Sequence, residues 1–120
     1  FEDQGEASHL ATDRYDVLTD RVRFLFAHLR TQIHYRPELG VRMFQHRNRG
    51  GGYVPLCFAR GHSLLGIIPI LEEHPSLSDI RSATSFLKRH AKAKLLYVHL
   101  YKNDYLIQPN IRCCPIGKLL

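Results

Sequence analysis

The chain has 120 residues, a length that builds one hydrophobic core rather than two. Its 44% hydrophobic and 23% charged residues are typical of a globular protein, and no apolar run reaches the roughly 18 residues of a transmembrane helix, so we expect no membrane partner. The net charge is +6, and twelve of the seventeen basic residues are arginine, which binds phosphate through paired hydrogen bonds. The positive net charge and the high share of arginine favour a nucleic-acid partner.

The three cysteines form no patterned pair: Cys57, Cys113 and Cys114 are an odd number without a Cys-x-x-Cys spacing. Disulfide frameworks and structural zinc sites need patterned cysteines, so we expect reduced thiols, no bound metal and a cytoplasmic location. The stretch RNRGGG lacks the Gly-Lys-Ser/Thr of a phosphate-binding loop, and we expect no cofactor. Because the chain begins with Phe1 rather than Met, we also expect it to be part of a longer protein.

The first predicted element is a helix over about 13–31. It follows an acidic, polar segment, residues 1–12, which we expect to be a flexible lead-in to a single domain over 13–120. One apolar stripe at helical spacing supports the helix: Leu18, Val22, Leu25 and Leu29.

A β-hairpin is predicted next. VRMFQHR alternates as a strand does, NRGGG is typical of a hairpin turn, and YVPLCFAR is the returning strand, so segments 41–47 and 53–60 should pair antiparallel. Pro55 has no N–H to donate, which predicts an edge position or a bulge. LLGIIPILEE then predicts a further buried strand, or a strand that bends at Gly66.

A second helix is predicted over about 76–92. Ser76 and Asp79 have the spacing of a capping box, and the predicted buried stripe is Ile80, Ala83, Leu87 and Ala91. LLYVHLY and YLIQPNI predict two more strands, and PIGKLL a short closing segment. We therefore expect an α/β fold: a single domain with a mixed central β-sheet flanked by helices.

Several motifs occur in the order of a known family: DRVRFLFAHL, HYR, GVRMFQ, NRGGG, VPLCFA, IRSATSFLKRHAKAK, LLYVHLYKND and CPIGKLL. Over residues 16–120 the chain resembles the C-terminal, restriction-endonuclease-like (PD-(D/E)xK) domain of a prokaryotic AAA-type ATPase family of unknown function. The resemblance implies a restriction-endonuclease-like fold and an N-terminal ATPase domain as a partner.

The residues at the nuclease motif depart from this family's pattern. Cleavage in the fold needs an acid near the end of one strand and a Glu-x-Lys pair on the next, which hold Mg²⁺ and activate water. By the resemblance, the acidic position falls at Arg42 or Met43, and the Glu-x-Lys positions fall at Cys57 and Ala59. None of these side chains binds a hard cation. The resemblance therefore implies a degenerate motif without metal-dependent nuclease activity.

A metal-independent nuclease is the competing enzymatic hypothesis. His46, His62 and Arg60 would supply a base, an acid and a cation around a phosphate. Scattered histidines on a basic surface are more often solvated, so an enzyme is the less favoured class.

The strongest functional signal is a set of basic residues on the hairpin and the second helix. They are Arg42, Arg47, Arg49 and Arg60, followed by Arg81, Lys88, Arg89, Lys92 and Lys94. Such a set can follow a phosphate backbone, and Tyr53 or Tyr101 lies close enough in sequence to stack on bases. We expect a non-catalytic accessory domain of a larger cytoplasmic protein, which binds nucleic acid or a protein partner through this surface. A purely structural or assembly domain is the alternative.

Overall fold

The computed structural model describes the backbone of residues 2–119 and the side chains of residues 14–119. Helix α1 spans Glu2–Tyr35 and helix α2 spans Leu77–Arg89. The strands are β1 (Arg42–Arg47), β2 (Tyr53–Arg60), β3 (Ser63–Pro69), β4 (Lys94–His99), β5 (Tyr105–Gln108) and β6 (Ile111–Pro115). Short 3-10 helices cover Pro37–Leu39 and Ile116–Leu119. The expected α/β class is confirmed.

The six strands form one mixed sheet in the order β1-β2-β3-β4-β6-β5. The first three strands are an antiparallel meander, β3 to β4 and β4 to β6 are parallel, and β5 is antiparallel to β6. Parallel neighbours need a crossover connection, and α2 supplies it between β3 and β4. The predicted last strand is two strands, because Pro109 and Asn110 turn the chain between β5 and β6.

The predicted hairpin is confirmed, and so is the irregularity predicted at its proline. The β1–β2 register shifts between Phe44 and His46, opposite the stretch that contains Pro55. β2 lies between β1 and β3 and is not an edge strand, so the bulge is the correct alternative. Pairing of β2 with β3 begins at Leu56, after the proline that has no N–H to donate.

Helix α1 covers one face of the sheet with the stripe that the sequence predicts. Leu18 and Leu25 are buried, and Val22 and Leu29 are partly buried. Val22, Leu25 and Leu29 belong to a core cluster with residues of β2, β3 and β4. The helix is longer at both ends than the predicted 13–31 span. The backbone of the expected lead-in is helical from Glu2, and its flexibility stays a prediction.

Helix α2 covers the other face. Its capping box is confirmed: Ser76 Oγ accepts a hydrogen bond from the Asp79 N–H at 3.2 Å, and the Asp79 carboxylate accepts one from the Ser76 N–H at 2.8 Å. The helix ends at Arg89, earlier than the predicted residue 92. Lys92 therefore lies in the connection to β4 and Lys94 is the first residue of β4, so neither is on the helix where the sequence predicts it.

The buried face of α2 differs from the predicted stripe. Ala83 is buried and Leu87 packs against the core, but Ile80 is 46% exposed and Ala91 lies beyond the helix on the surface. Phe86, which the stripe omitted, is fully buried. A Cβ at Gly66 would lie 2.9 Å from the Phe86 ring, so the missing side chain of Gly66 is what makes room for this aromatic anchor.

Among the residues that the structure describes, neither helix has the length and apolarity needed to cross a membrane.

Candidate functional site

One serine of α2 joins the β1–β2 hairpin to the helix. The Ser85 hydroxyl accepts a hydrogen bond from Asn48 Nδ2 and lies 3.3 Å from His46 Nε2. Asn48 also closes the turn, because its N–H donates to the Gly52 carbonyl and its Oδ1 accepts from the Gly52 N–H, both at 3.0 Å. The hairpin tip is therefore held by the helix.

A glycine makes this contact possible. Gly52 is buried, and a Cβ there would lie 2.8 Å from both Cβ and Oγ of Ser85. One residue further on, the Tyr53 N–H donates to Ser82 Oγ at 3.1 Å, which adds a second tie between hairpin and helix. The sequence Asn-Arg-Gly-Gly-Gly thus forms the turn and also fits it against α2.

A cleft of about 510 Å³, the hairpin cleft, opens between the turn and α2. Asn48 and Ser85 line it, and its charged walls are Arg81, Lys88 and Arg89. Three helix residues that the sequence predicts to bind nucleic acid therefore face the backbone of the glycine turn.

A second cleft, the turn cleft, lies at the far end of β2 and has a volume of about 370 Å³. It brings together Arg60, His62, Lys92 and Lys94. Arg42 pairs with Ala59, so it lies next to this cleft on the neighbouring strand. Only two residues separate Arg89 of the hairpin cleft from Lys92 of the turn cleft, so both clefts include a basic residue near the C-terminal end of α2.

The remaining hairpin arginines are arranged differently. The Arg47 guanidinium lies 4.3 Å from the centroid of the Tyr53 ring, a cation–π distance, and Arg49 is exposed at the turn. Tyr53 is thereby covered on one face. The Tyr101 hydroxyl accepts a hydrogen bond from Arg14 at 2.7 Å and lines neither basic cleft. The structure does not bring either expected stacking residue into these clefts.

The Asp and Glu residues lie outside the chain segments that line the two clefts. Segments 39–71 and 80–103 contain ten Lys and Arg residues and no Asp or Glu. The ion pairs between described side chains use other cations: Arg14 with Glu72, and Arg112 and Lys118 with Asp104. The charge of both clefts is therefore not neutralised by the part of the domain that the structure describes.

His46 is a buried neighbour of the hairpin cleft. His46 is 6% exposed, and its ring lies edge-on to Phe86 and His90, with centroid distances of 5.4 and 6.0 Å. Burial lowers the pKa of His46 from its ordinary 6.5, and the charges of His90 and Arg89 lower it further. The imidazole is neutral at pH 7, so the Ser85 hydroxyl can donate its hydrogen to Nε2.

The structure does not bring the two candidate catalytic imidazoles together. His46 lies opposite Val54 at the start of β2, whereas His62 follows Arg60 at its end. At a rise of about 3.3 Å per residue, the six steps from Val54 to Arg60 separate the two sites by about 20 Å. A base and an acid that flank one phosphate need to be much closer.

The degenerate motif positions also divide between the faces of the sheet. Cys57 is buried in the core under α2, where burial raises its pKa to about 11. Ala59 shares that face by strand alternation, as does Arg42, its partner on β1, whereas Met43 packs against the α1-side core. Of the two alternatives for the acidic position, only Arg42 lies on the face of the Glu-x-Lys positions. Among the described residues, no three His, Cys, Asp or Glu side chains come close enough to hold a metal ion.

The sequence did not reveal the contacts that organise the hairpin cleft. In the sequence, Ser85 is only a polar member of the basic helix face, and Asn48 is only a turn residue. A comparison of the chain with protein-family models, curated proteins and solved structures finds no match in any of the three, so the two clefts carry the functional conclusion.

Proposed function

We propose that this domain binds nucleic acid through the hairpin cleft and the turn cleft, as a non-catalytic accessory domain of a larger cytoplasmic protein. The observation that carries the proposal is that two separate chain segments bring basic side chains together around α2, with no acidic side chain lining either cleft. Phosphate groups bind to such an array with release of counterions, and they do so without regard to base sequence.

The order of elements supports the proposed restriction-endonuclease-like fold. Helix α1, strand β1, the glycine-rich turn, β2, helix α2 and β4 occur in the order that the resemblance implies, with β3 as an additional strand between β2 and α2. An N-terminal ATPase domain as the partner belongs to the same proposal. The proposed lack of metal-dependent cleavage follows from the absence of a carboxylate at Arg42, Met43 and Cys57 and of lysine at Ala59.

The proposal is tested by the salt dependence of DNA binding, measured by fluorescence anisotropy with a labelled duplex. With about four phosphate contacts, log K against log salt should have a slope of about −3 to −4. Changing Arg81, Lys88 and Arg89 to Ala should remove most of this slope. A matched variant that changes Arg30, Arg36 and Lys102 to Ala loses the same charge from exposed positions that line neither cleft.

The comparison of these two variants separates a site from a bulk charge effect. If both lose the same affinity, binding follows net charge and the clefts are not the site. A flat salt response in the unsubstituted protein, together with salt-sensitive binding to an acidic protein, would favour the protein-partner alternative, because the same cations would then meet carboxylates.

An activity assay tests the non-catalytic part of the proposal. We expect no cleavage of DNA or RNA with Mg²⁺ or Mn²⁺ above background. Cleavage that a chelator abolishes would refute this. Cleavage that survives the chelator but disappears in His46→Ala or His62→Ala would support the histidine nuclease instead.

A further inference from the structure

A larger cavity lies between α1, the hairpin and the segment that joins β3 to α2. This α1 cavity has a volume of about 650 Å³, within the range of about 300–1,000 Å³ that small-molecule sites occupy. Its walls are mostly apolar and include Leu18, Val22, Phe26, Tyr53, Pro55 and Ile70. The basic residues of the two clefts are not among its lining residues, so it is a separate site.

The acidic groups at the rim of the α1 cavity are already partnered. The Glu72 carboxylate lies 3.6 Å from the Arg14 guanidinium and accepts a hydrogen bond from the Tyr101 hydroxyl at 3.4 Å. The Asp79 carboxylate accepts hydrogen bonds from the N–H and the hydroxyl of Ser76, at 2.8 and 2.9 Å. Both carboxylates therefore already accept hydrogen bonds within the protein.

The basic side chain at the rim has no partner among the described side chains. Arg23 and Thr19 are one turn apart on α1 and both line the cavity. Arg23 is exposed and Thr19 is half-buried, and neither forms an ion pair or a side-chain hydrogen bond with another described side chain. A guanidinium presents two parallel N–H groups, the geometry that a carboxylate accepts.

We propose that the α1 cavity binds a small amphiphilic carboxylate. The apolar body of the ligand fills the space between α1 and the sheet, and its carboxylate accepts hydrogen bonds from the Arg23 guanidinium and the Thr19 hydroxyl. Apolar burial supplies most of the affinity, and the polar pair at the rim sets the orientation and the preference for an anion.

The test uses two fluorescent probes, dansylaminoundecanoate and its methyl ester, which share an apolar body and differ in the head group. We expect the carboxylate to bind about tenfold more tightly, the lower end of what a charge-assisted hydrogen bond contributes. Arg23→Gln should reduce carboxylate binding to the level of the ester and leave ester binding unchanged. Arg30→Gln, which removes the same charge from the same helix outside the cavity, should change neither.

A second variant and a direct measurement locate the probe. Thr19→Trp places a large side chain at the cavity wall and should block both probes. Independently of any variant, carboxylate binding should shift the methyl resonances of Val22 and Ile70, which line the cavity. Because Arg23 lines neither basic cleft, Arg23→Gln should leave the salt slope of DNA binding unchanged, so this inference and the proposed function can fail separately.

Several results would overturn the inference. Equal affinities for acid and ester would remove the role of Arg23. Unshifted Val22 and Ile70 methyl groups would place the probe elsewhere. A concentration-dependent dimer that Thr19→Trp dissociates would show that a second copy of the chain covers the cavity instead.

Discussion

Replacing Gly52 by alanine should separate the hairpin from α2, because the added methyl group has no room. Its Cβ would lie 2.8 Å from both Cβ and Oγ of Ser85, and 3.2 Å from Asn48 Oδ1. The backbone φ of Gly52 is not positive, so alanine is sterically allowed there and the contact with the helix alone causes the strain.

The size of the effect follows from two opposing terms. Overpacking a close contact costs about 1–3 kcal/mol, and replacing glycine by alanine recovers about 0.4–1 kcal/mol by restricting the unfolded chain. We expect Gly52→Ala to lower the free energy of unfolding by about 1–2 kcal/mol. DNA affinity should fall as well, because the turn forms one wall of the hairpin cleft.

Urea unfolding of Gly52→Ala, Ser85→Gly and the double variant measures this contact. Ser85→Gly removes the atoms that clash, at the helix-propensity cost of a glycine, so the double variant should be about 1–2 kcal/mol more stable than the sum of the single changes predicts. Gly50→Ala is the matched control, since its Cβ would meet only Asn48 Oδ1, at an ordinary 3.5 Å. Additive single effects, or equal losses in Gly50→Ala and Gly52→Ala, would refute the proposed contact.

Three further outcomes test the core, the buried histidine and the helix cap. Gly66→Ala should cost about 1–3 kcal/mol in urea unfolding, because its Cβ would lie 2.9 Å from the Phe86 ring, and an unchanged midpoint would contradict this packing. Since burial and nearby positive charge lower the pKa of His46, the unfolded chain binds more protons below about pH 6.5, and stability should fall there by at most about 1.4 kcal/mol per pH unit. A His46→Asn variant should lack this part of the pH dependence, and equal slopes would contradict it. Ser76→Ala should cost about 1 kcal/mol in thermal unfolding by leaving the Asp79 N–H without its acceptor, whereas an unchanged melting temperature would argue against the capping box.

The parts of the fold that could be predicted from the sequence depend on local patterns. Apolar and polar residues alternate on both sides of a glycine run, and this pattern predicts the β1–β2 pairing. Pro55 marks the bulge because a proline has no N–H to donate to a neighbouring strand, whether its own strand is at the edge or inside the sheet. The capping box of α2 is likewise a relation between residues three positions apart. These features do not depend on how distant elements pack.

The orientation of α2 could not be predicted in the same way. Either Ile80 or Phe86 could belong to the buried stripe of an amphipathic helix. Which of the two is buried depends on the surface against which the helix packs. In the structure the gap left by Gly66 accepts Phe86, which turns Ile80 toward solvent. The apolar pattern of helix α2 contains no information about a glycine on strand β3.

The candidate site was predictable in its charges but not in its organisation. Exposed arginines and lysines are visible in any sequence, and most of those expected to act together do line the two clefts. The bond between Asn48 and Ser85 joins residues 37 positions apart, and it forms only because α2 crosses the sheet at the height of the turn. The sequence places His46 and His62 near the same hairpin, but it does not show that the length of β2 separates them.

The hairpin turn forms part of the boundary of both the hairpin cleft and the α1 cavity. Gly50 and Gly52 line the hairpin cleft, and the intervening Gly51, whose φ of 90° suits glycine, lines the α1 cavity. The side-chain ties of the turn and of the residue after it run to Ser85 and Ser82 of α2, and α1 supplies none among the described residues. Releasing the turn from α2 is therefore expected to weaken ligand binding at both sites, whereas removing the basic side chains of α2 should weaken only the hairpin cleft and removing Arg23 only the α1 cavity.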